Sequence, residues 1–390
     1  MRRQFGVLVV LAIAIVASEA LAGQPQASGA AAGGASWITT ARSVTKVADG
    51  VYVIIHKDAV EGGWPQGNTT VIIGDREVFV VDACFLTGSA KEDIAEIRRL
   101  TTKPVRYLLN THFHIDHTAG NSAYLEAFPG LEIIAHDTTR RFMDDANPSF
   151  AANVVDPGGR PTMVILPSLK KQLESGKGDD GKPLLAEDKA KLRQEVAEVE
   201  NEIADYWTFR YQGPTLTFDQ ELNLDIGKRE VQVKHLGRGH TPGDALVYLP
   251  QERVLITGDL LTWPIPYMRM SFPHEWVEVL RTLSRMDAEV IVPGHGIVMR
   301  DKSYMKEVIA LLDSVIKQVH EQAPKVVFDS KTKVPSVEDL HVDLAPFRKE
   351  MAGDDRENND FWERIVDPGM LGGINQGVVG RAYAEETGKL

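Results

Sequence analysis

The sequence contains a single cysteine, Cys84, among 390 residues. One cysteine cannot form a disulfide within the chain, so the fold must depend on core burial and perhaps on bound metal. A zinc site built from several thiolates is excluded as well, and any metal must be bound by histidine and carboxylate side chains. Cys84 lies two residues after Asp82, next to an apolar run. This position favours buried packing over catalysis.

Positive charge is also scarce, because 43 lysines and arginines face 55 aspartates and glutamates, which gives a net charge of -12. An acidic chain is a poor partner for nucleic acid or for an anionic membrane surface. Nucleic acid is therefore not expected as a partner. The charge says little about the substrate, which is expected to be a small molecule. The share of hydrophobic residues, 43%, is typical of globular proteins and excludes a disordered or fibrous chain.

Long apolar runs are missing except for Phe5–Ala17, which is too short to span a bilayer comfortably. Two arginines precede this run, and Ala20-Leu21-Ala22 follows it as a small-x-small cleavage site. We therefore predict a signal peptide over residues 1–22, with a membrane anchor as the alternative. The mature protein is expected to be periplasmic or secreted, without stable membrane insertion. Residues 23–44 are predicted to form a flexible leader.

Two stretches of the chain alternate between strand and helix patterns. Strands are predicted at Val51–Ile55, Thr70–Ile73, Val78–Val81, Val105–Leu109, Leu131–Ala135, Leu216–Leu224, Glu230–Leu236, Ala245–Leu249, Val254–Thr257 and Val290–Val292. Helices are predicted over 89–100, from the loop after residue 112 to about 128, over 275–286 and over 304–321. Two strand-rich halves flanked by helices predict an α/β sandwich of two sheets.

Segments of different character separate and follow these halves. Residues 144–213 are predicted to be an insertion, with a loop-like first part that includes Asn147–Phe150 and one long amphipathic helix from Leu192 to Trp207. The catalytic domain is predicted to cover 45–310, and residues 311–390 are predicted to form a helical extension.

Four side chains of the types that bind metal fall within six residues, after the strand Val105–Leu109: His112, His114, Asp116 and His117. In a loop that leaves a strand, His112 and His114 point the same way because side chains repeat every two residues. Asp116 and His117 begin the next helix and face a second point nearby. Imidazole and carboxylate groups are good zinc ligands, so the cluster predicts a metal site.

Three later residues occupy comparable positions at strand ends beside glycines: His240 in GRGHTPGD, Asp259 in TGD and His295 in PGHG. Binding groups in α/β folds tend to lie at strand ends, and glycine permits close backbone approach. With the first cluster these residues number seven, which is enough for two four- or five-coordinate ions.

The HxHxDH cluster followed by the GHTPGD histidine, the GD aspartate and the PGH histidine resembles the metal-binding motifs of the metallo-β-lactamase superfamily. The resemblance covers roughly residues 45–310 apart from the insertion. It implies a four-layer αββα sandwich, to which the helical insertion and the helical C-terminal extension predicted above are added. It also implies two zinc ions per chain, with iron or manganese as alternatives.

The resemblance assigns a role to each ligand residue. His112, His114 and His240 would bind the first metal, and Asp116, His117 and His295 the second. Asp259 would bridge both ions, and Asp82 would support the site from behind the ligands. Two metals would activate a shared water for attack on a carbonyl or phosphoryl centre, and Asp116 would accept a hydrogen bond from that nucleophile.

Other residues are weaker candidates for contact with the substrate. Tyr267 is a candidate donor to an oxyanion or leaving group, and Trp263 is predicted to line the pocket. Trp64 lies in a glycine-rich loop that either covers the substrate or packs in the core. Arg238 and His274 are further candidates for support of the site.

Three functions compete at this point. An exported metal-dependent hydrolase of an ester, lactone, thioester or β-lactam-like amide bond agrees with a bridging aspartate. A dedicated β-lactamase agrees with export, but β-lactamases of this superfamily usually have cysteine or serine where this chain has Asp259. A non-hydrolytic metal or redox module is the third, and the C-terminal residues lack a flavin-binding pattern.

Overall fold

The computed structural model of the protein describes residues 42–56, 66–85, 87–154, 162–178, 181–206, 208–325, 342–355 and 377–388, with a few single positions between 340 and 366. The predicted signal peptide, almost all of the leader and Trp64 lie outside the described residues. Among the helices that are described, none is both long and apolar enough to cross a membrane.

The first of two β-sheets has seven strands, arranged in the sheet in their sequence order. They are β1 Arg42–Ala48, β2 Val51–His56, β3 Thr69–Ile73, β4 Val78–Val81, β5 Val105–Leu109, β6 Glu132–His136 and β7 Leu216–Phe218. Neighbours are antiparallel from β1 to β4 and parallel from β4 to β7. Parallel neighbours need crossover connections. Helix α1 Thr87–Leu100 and the short helices α2 Ile115–Thr118 and α3 Asn121–Ala127 lie in the first two of these crossovers.

The second sheet has five strands in the order β12-β11-β10-β9-β8. They are β8 Glu221–Asp225, β9 Glu230–Lys234, β10 Leu246–Leu249, β11 Val254–Thr262 and β12 Val290–His295. Only β11 and β12 are parallel, and helix α7 Pro273–Arg285 connects them. The chain continues through α8 Ser303–Gln322, the 3-10 turn Ala323–Lys325, α9 Ala345–Met351 and α10 Val378–Glu386.

Alternate side chains of the strands build two different cores. On β4, Phe79 and Val81 pack toward the second sheet, whereas Val78 and Val80 pack beneath α1. This alternation follows from the period of two in a strand, and full burial of each such side chain contributes about 1.5–3 kcal/mol. Helices α7, α8 and α10 cover the outer face of the second sheet. The predicted αββα sandwich with a helical extension is therefore confirmed.

The region predicted as an insertion with one long helix instead contains helical residues from three helices, α4 Asp137–Val154, α5 Thr162–Ser175 and α6 Ala186–Tyr206. A small apolar cluster that includes Leu169, Val196 and Val199 packs α5 against α6. Near the end of α6, Asp205 accepts a hydrogen bond of 2.8 Å from the backbone N–H of Gly88 at the start of α1. The domain limits themselves stay a prediction.

Three local predictions were wrong. The single strand Leu216–Leu224 is two strands, since the chain bends at residues 219–220 and passes from the first sheet to the second. The helix predicted up to about residue 128 is interrupted at Gly120, where any Cβ would overlap the carbonyl oxygen of Ala83. The loop-like Asn147–Phe150 belongs to α4.

Candidate metal centre

The structure brings together all seven residues predicted as metal ligands, in two groups that share Asp259. The first group consists of His112, His114, His240 and Asp259, and the second of Asp116, His117, Asp259 and His295. Within each group the potential ligand atoms all lie within 4.8 Å of one another. The ligand side chains lie just after β5, between β9 and β10, within β11 and at the end of β12. The prediction that Asp259 and His295 lie just past strand ends was wrong, because β11 continues to Thr262 and β12 includes His295.

Distances in the first group match the spacing of ligands around one ion. Nε2 of His240 lies 3.0 Å from Nδ1 of His114 and 3.5 Å from Oδ2 of Asp259. Nε2 of His112 lies 3.7 Å from the same Oδ2. Two ligands about 2.0–2.1 Å from a tetrahedral zinc ion are roughly 3.3 Å apart, so the group has the size of a zinc site.

The second group has the same dimensions. Nε2 of His117 lies 3.1 Å from Nε2 of His295 and 3.2 Å from Oδ1 of Asp259. Nε2 of His295 lies 3.1 Å from Oδ2 of Asp116. The carboxylate of Asp259 therefore has its Oδ2 beside the first group and its Oδ1 beside His117 of the second.

Unpaired polar atoms test whether these residues fit a metal. Nε2 of His112 and Oδ1 of Asp259 are buried and form no hydrogen bond in the structure. An unsatisfied buried polar group costs about 1–3 kcal/mol, and coordination of a cation removes that cost. Imidazole and carboxylate donors suit zinc and other divalent ions. The residues therefore fit a divalent metal.

Asp82 fixes two ligand histidines from behind the first and second groups. Its Oδ2 accepts a hydrogen bond of 2.8 Å from Nδ1 of His117. The same oxygen accepts from Oγ1 of Thr111 at 2.9 Å, and this hydroxyl accepts in turn from Nδ1 of His112 at 3.0 Å. The hydrogen bonds leave Nε2 of both rings free to face the metal groups. This arrangement agrees with the supporting role predicted for Asp82.

The loop after β11 provides the partners for the other two histidines of the first group. The backbone oxygen of Tyr267 accepts a hydrogen bond of 3.0 Å from Nδ1 of His240. Nε2 of His114 lies 3.4 Å from Sδ of Met270. Each of these rings therefore turns its other nitrogen toward the first group.

The two groups differ in their proton affinity. Burial lowers the pKa of all three histidines in the first group, and it lowers that of His114 to about 3. The other two are His112 and His240, and all three are neutral and able to bind a cation. Burial also opposes the charged forms of His117 and His295, but the neighbouring carboxylates outweigh it and raise the pKa of His295 to about 9. Metal binding at the second group must therefore displace protons.

A third group of side chains of the kinds that bind metal is buried apart from the first two groups, and it consists of His56, Cys84 and Asp93. Nδ1 of His56 lies 2.8 Å from the carbonyl oxygen of Gly67, and its Nε2 lies 2.9 Å from Oδ1 of Asp93. Arg42 forms an ion pair with the same carboxylate at 2.5 Å. Both ring nitrogens of His56 are engaged, so this set is a hydrogen-bonded network and not a metal site.

The remaining candidates lie at different distances from the metal groups. The ring of Tyr267 is 5.7 Å from that of His114, and burial raises the pKa of its phenol to about 12. Arg238 forms an ion pair with Glu275, and His274 with Glu385 of α10. No motif in the sequence pointed to Met270, which reaches the site through the folded loop.

A profile described as the metallo-beta-lactamase superfamily matches residues 62–295 of the chain. The chain belongs to the metallo-β-lactamase superfamily. This confirms the family predicted from the histidine motifs, and the two groups of ligand side chains indicate a divalent metal. The match ends at the last predicted ligand, His295, so α8, α9 and α10 lie outside the matched residues.

Three curated relatives are similar to parts of this member of the superfamily. A linear primary-alkylsulfatase of a Pseudomonas species is 27% identical over 252 residues, which is 63% of this chain. An alkyl/aryl-sulfatase of Saccharomyces cerevisiae is 21% identical over 316 residues, or 76% of this chain. The chain covers 44% of the length of each. A type 2 metallo-beta-lactamase of Elizabethkingia meningoseptica is 25% identical over 85 residues, 20% of this chain and 34% of its own length.

Solved structures are similar to this chain as well, and they include metallo-beta-lactamases. The enzyme from Pontibacter korlensis aligns with 70% of this chain and 99% of its own, at 19% identity and a TM-score of 0.48. The TMB-1 structure aligns with 70% of this chain and 97% of its own, at 19% identity and a TM-score of 0.47.

Proposed function

We propose that this chain is an exported zinc-dependent hydrolase that cleaves sulfate esters of apolar alcohols. The observation that carries the proposal is the position of the Asp259 carboxylate between two groups of ligand side chains. A carboxylate shared in this way is suited to bridge two cations and to keep them close to one reacting group.

Each group would hold one zinc ion, the first through its three histidines and the second through Asp116, His117 and His295. When bound, a pair of zinc ions makes hydroxide available at neutral pH and stabilises negative charge that develops on the electrophile. In the second group, the carboxylate of Asp116 lies 3.1 Å from His295 and 8% of the residue is exposed. It is therefore placed to accept a hydrogen bond from the attacking water and to orient it.

Tyr267 is the candidate proton donor of the site. Its phenol stays protonated at neutral pH because burial raises its pKa to about 12. The ring lies 5.7 Å from the ring of His114 and 5.4 Å from that of His240. From this position the hydroxyl would donate a hydrogen bond to a sulfuryl oxygen or to the departing alkoxide.

Exposed apolar side chains flank the second group. Trp263 is 40% exposed and Ile297 is 49% exposed. The backbone N–H of Trp263 donates a hydrogen bond of 3.1 Å to the carbonyl oxygen of His295, and Ile297 follows His295 by two residues in the chain. An apolar surface next to a polar reaction centre suits a substrate with a charged head and a hydrocarbon body.

A second apolar surface lies beside the first group. The ring of Phe113 is 4.7 Å from that of His114 and stacks at 4.9 Å on Phe142, which is 40% exposed. The metal groups are thus flanked by apolar surfaces next to both His114 and His295. A small hydrophilic ester would leave these surfaces in water, whereas an alkyl sulfate would cover part of them.

The curated relatives support a sulfate ester over a β-lactam. The two sulfatases match 252 and 316 residues, whereas the β-lactamase matches 85. Asp259 supports the same choice, because β-lactamases of this superfamily usually have cysteine or serine at this place. Export is supported by the signal-peptide pattern of residues 1–22.

The test incubates the purified zinc-loaded chain with a series of alkyl sulfates. Ion chromatography measures the inorganic sulfate that is released. We expect turnover, with KM falling as the alkyl chain lengthens, and two zinc ions per chain by elemental analysis. Asp259→Asn should abolish turnover and lower zinc content, whereas Asp49→Asn, at a side chain that is 97% exposed, should change neither.

Parallel assays separate the competing functions. Turnover of nitrocefin without sulfate release would establish the β-lactamase alternative, and hydrolysis of lactones or thioesters alone would move the substrate to that class. About two equivalents of iron in the chain as isolated would contradict zinc as the native metal.

A further inference from the structure

The loop over residues 267–272, here called the 267–272 segment, contacts two of the three histidines in the first group. The carbonyl oxygen of Tyr267 accepts from Nδ1 of His240, and Sδ of Met270 lies 3.4 Å from Nε2 of His114. Because these contacts involve the ring nitrogens that do not face the other ligand residues of the first group, they set the rotation of both rings. A shift of the segment would therefore misalign two ligands at once.

The segment is held from a distant part of the chain by Arg381 of α10. The guanidinium donates from Nε to the carbonyl oxygen of Ser271 at 2.6 Å and from Nη2 to that of Met270 at 3.1 Å. Arg381 is only 5% exposed. Burial of a full charge is costly unless the charge is engaged, so these hydrogen bonds account for its position. Two successive carbonyl groups are thereby fixed by one rigid side chain.

Phe272 joins this contact to the loop that carries His240. The guanidinium of Arg381 lies 4.8 Å from the centre of the Phe272 ring, and the guanidinium of Arg238 lies 4.2 Å from it. The backbone N–H of Phe272 donates a hydrogen bond of 2.7 Å to the carbonyl oxygen of Gly239, the residue before His240. Two cation–π contacts and a backbone hydrogen bond thus connect α10 to the neighbour of a ligand.

Helix α10 is itself anchored, so it provides a fixed reference for Arg381. Val378, Val379 and Ala382 are buried in the core that covers the second sheet. Glu385 accepts hydrogen bonds of 2.9 Å from both the backbone N–H and Nδ1 of His274, at the start of α7. Helix α10 therefore contacts both the segment itself, through Arg381, and His274 just after the segment, through Glu385.

We propose that Arg381 is a positioning residue of the metal centre, which holds the 267–272 segment so that His114 and His240 present their nitrogens to the first metal. The inference rests on the proposed metal centre but not on the bond that the enzyme cleaves. It makes the C-terminal extension, which lies beyond the residues matched by the superfamily profile, part of the functional unit.

The test compares Arg381→Met with Arg348→Met in the full chain. Arg348 lies in the same extension, but its guanidinium binds Asn359 and Glu363 and touches neither the segment nor a ligand. Zinc affinity is measured by competition with a chromophoric chelator, and the geometry of the first site by the visible absorption of the cobalt-substituted chain. We expect Arg381→Met to weaken zinc binding about 10–100-fold and to shift the cobalt spectrum, as loss of a partner behind metal ligands does. Arg348→Met should leave both unchanged.

Arg381→Lys keeps the test decisive if Arg381→Met does not fold. A lysine ammonium lacks the rigid fork that binds both carbonyl groups, so we expect a smaller shift in the same direction. A folded variant of Arg381 with the wild-type cobalt spectrum and zinc affinity would overturn the inference. A wild-type chain that binds no metal would instead overturn the proposed function, so the two failures are distinguishable.

Discussion

His117 donates a hydrogen bond of 2.8 Å from Nδ1 to Oδ2 of Asp82, and both side chains are almost completely buried. The carboxylate lies at the end of β4, and Asp82 has a left-handed backbone with φ of 62°. This conformation is uncommon outside glycine, although aspartate tolerates it better than most residues. The strand end therefore serves the orientation of a ligand as well as the sheet.

Asp82→Asn should weaken zinc binding about 10–100-fold. The amide carries no negative charge, so its hydrogen bonds from Nδ1 of His117 and Oγ1 of Thr111 would be weaker and would orient the ligand histidines less firmly. Chelator competition measures this loss, with the exposed Asp225→Asn at the end of β8 as the control. Wild-type zinc affinity in a folded Asp82→Asn chain would show that the hydrogen bond is dispensable.

Gly294→Ala should displace the shared carboxylate. A Cβ on Gly294 would overlap Oδ1 of Asp259 and would lie 2.9 Å from its backbone nitrogen. We expect zinc content to fall at both groups, and turnover by at least the roughly 10–100-fold typical of lost support for a ligand. Gly353→Ala is the control, since nothing lies within 4 Å of a Cβ there and only its positive φ opposes alanine. Two zinc ions per chain in Gly294→Ala would contradict the close packing.

The metal ligands were predictable because each carries a local signal. Four of them fall within six residues after a β-branched strand, and His240, Asp259 and His295 each have a neighbouring glycine in the sequence. Runs of β-branched residues bounded by turn residues likewise predicted most of the strands.

The supporting residues could not be found in this way, because they act through contacts that the chain makes only when folded. Arg381 is 110 residues from Ser271, and nothing in the sequence around it distinguishes a buried arginine from a solvated one. The bend at residues 219–220 was missed for a related reason. The residues on both sides favour strands, and only their pairing with β6 and β9 shows that they belong to different sheets.

Cys84 should be inert in the folded chain and reactive after unfolding. It is fully buried, and burial raises the pKa of its thiol, so that little reactive thiolate is present at neutral pH. Ellman's reagent should label no thiol in native buffer and one thiol per chain in guanidinium chloride. Complete labelling of the native chain within minutes at about pH 8 would contradict this burial.

The contact between His274 and Glu385 should make the docking of α10 depend on pH. The hydrogen bond to Glu385 raises the pKa of His274 above its ordinary value of 6.5. A raised pKa in the folded state contributes stability that is complete below the unfolded value and is lost as the pH rises through the folded value. Because the His274 side chain is one-third exposed, solvent screening keeps the effect modest.

Glu385→Gln should therefore lower the melting temperature more at about pH 5.5 than at about pH 9. The glutamine oxygen still accepts the hydrogen bond from the backbone N–H of His274, so the difference between the two pH values isolates the charge. Glu363→Gln, which breaks an exposed pair with Arg348 and involves no histidine, should shift the melting temperature equally at both. A decrement for Glu385→Gln that is equal at both pH values, or larger at pH 9, would mean that His274 is not protonated in the folded chain.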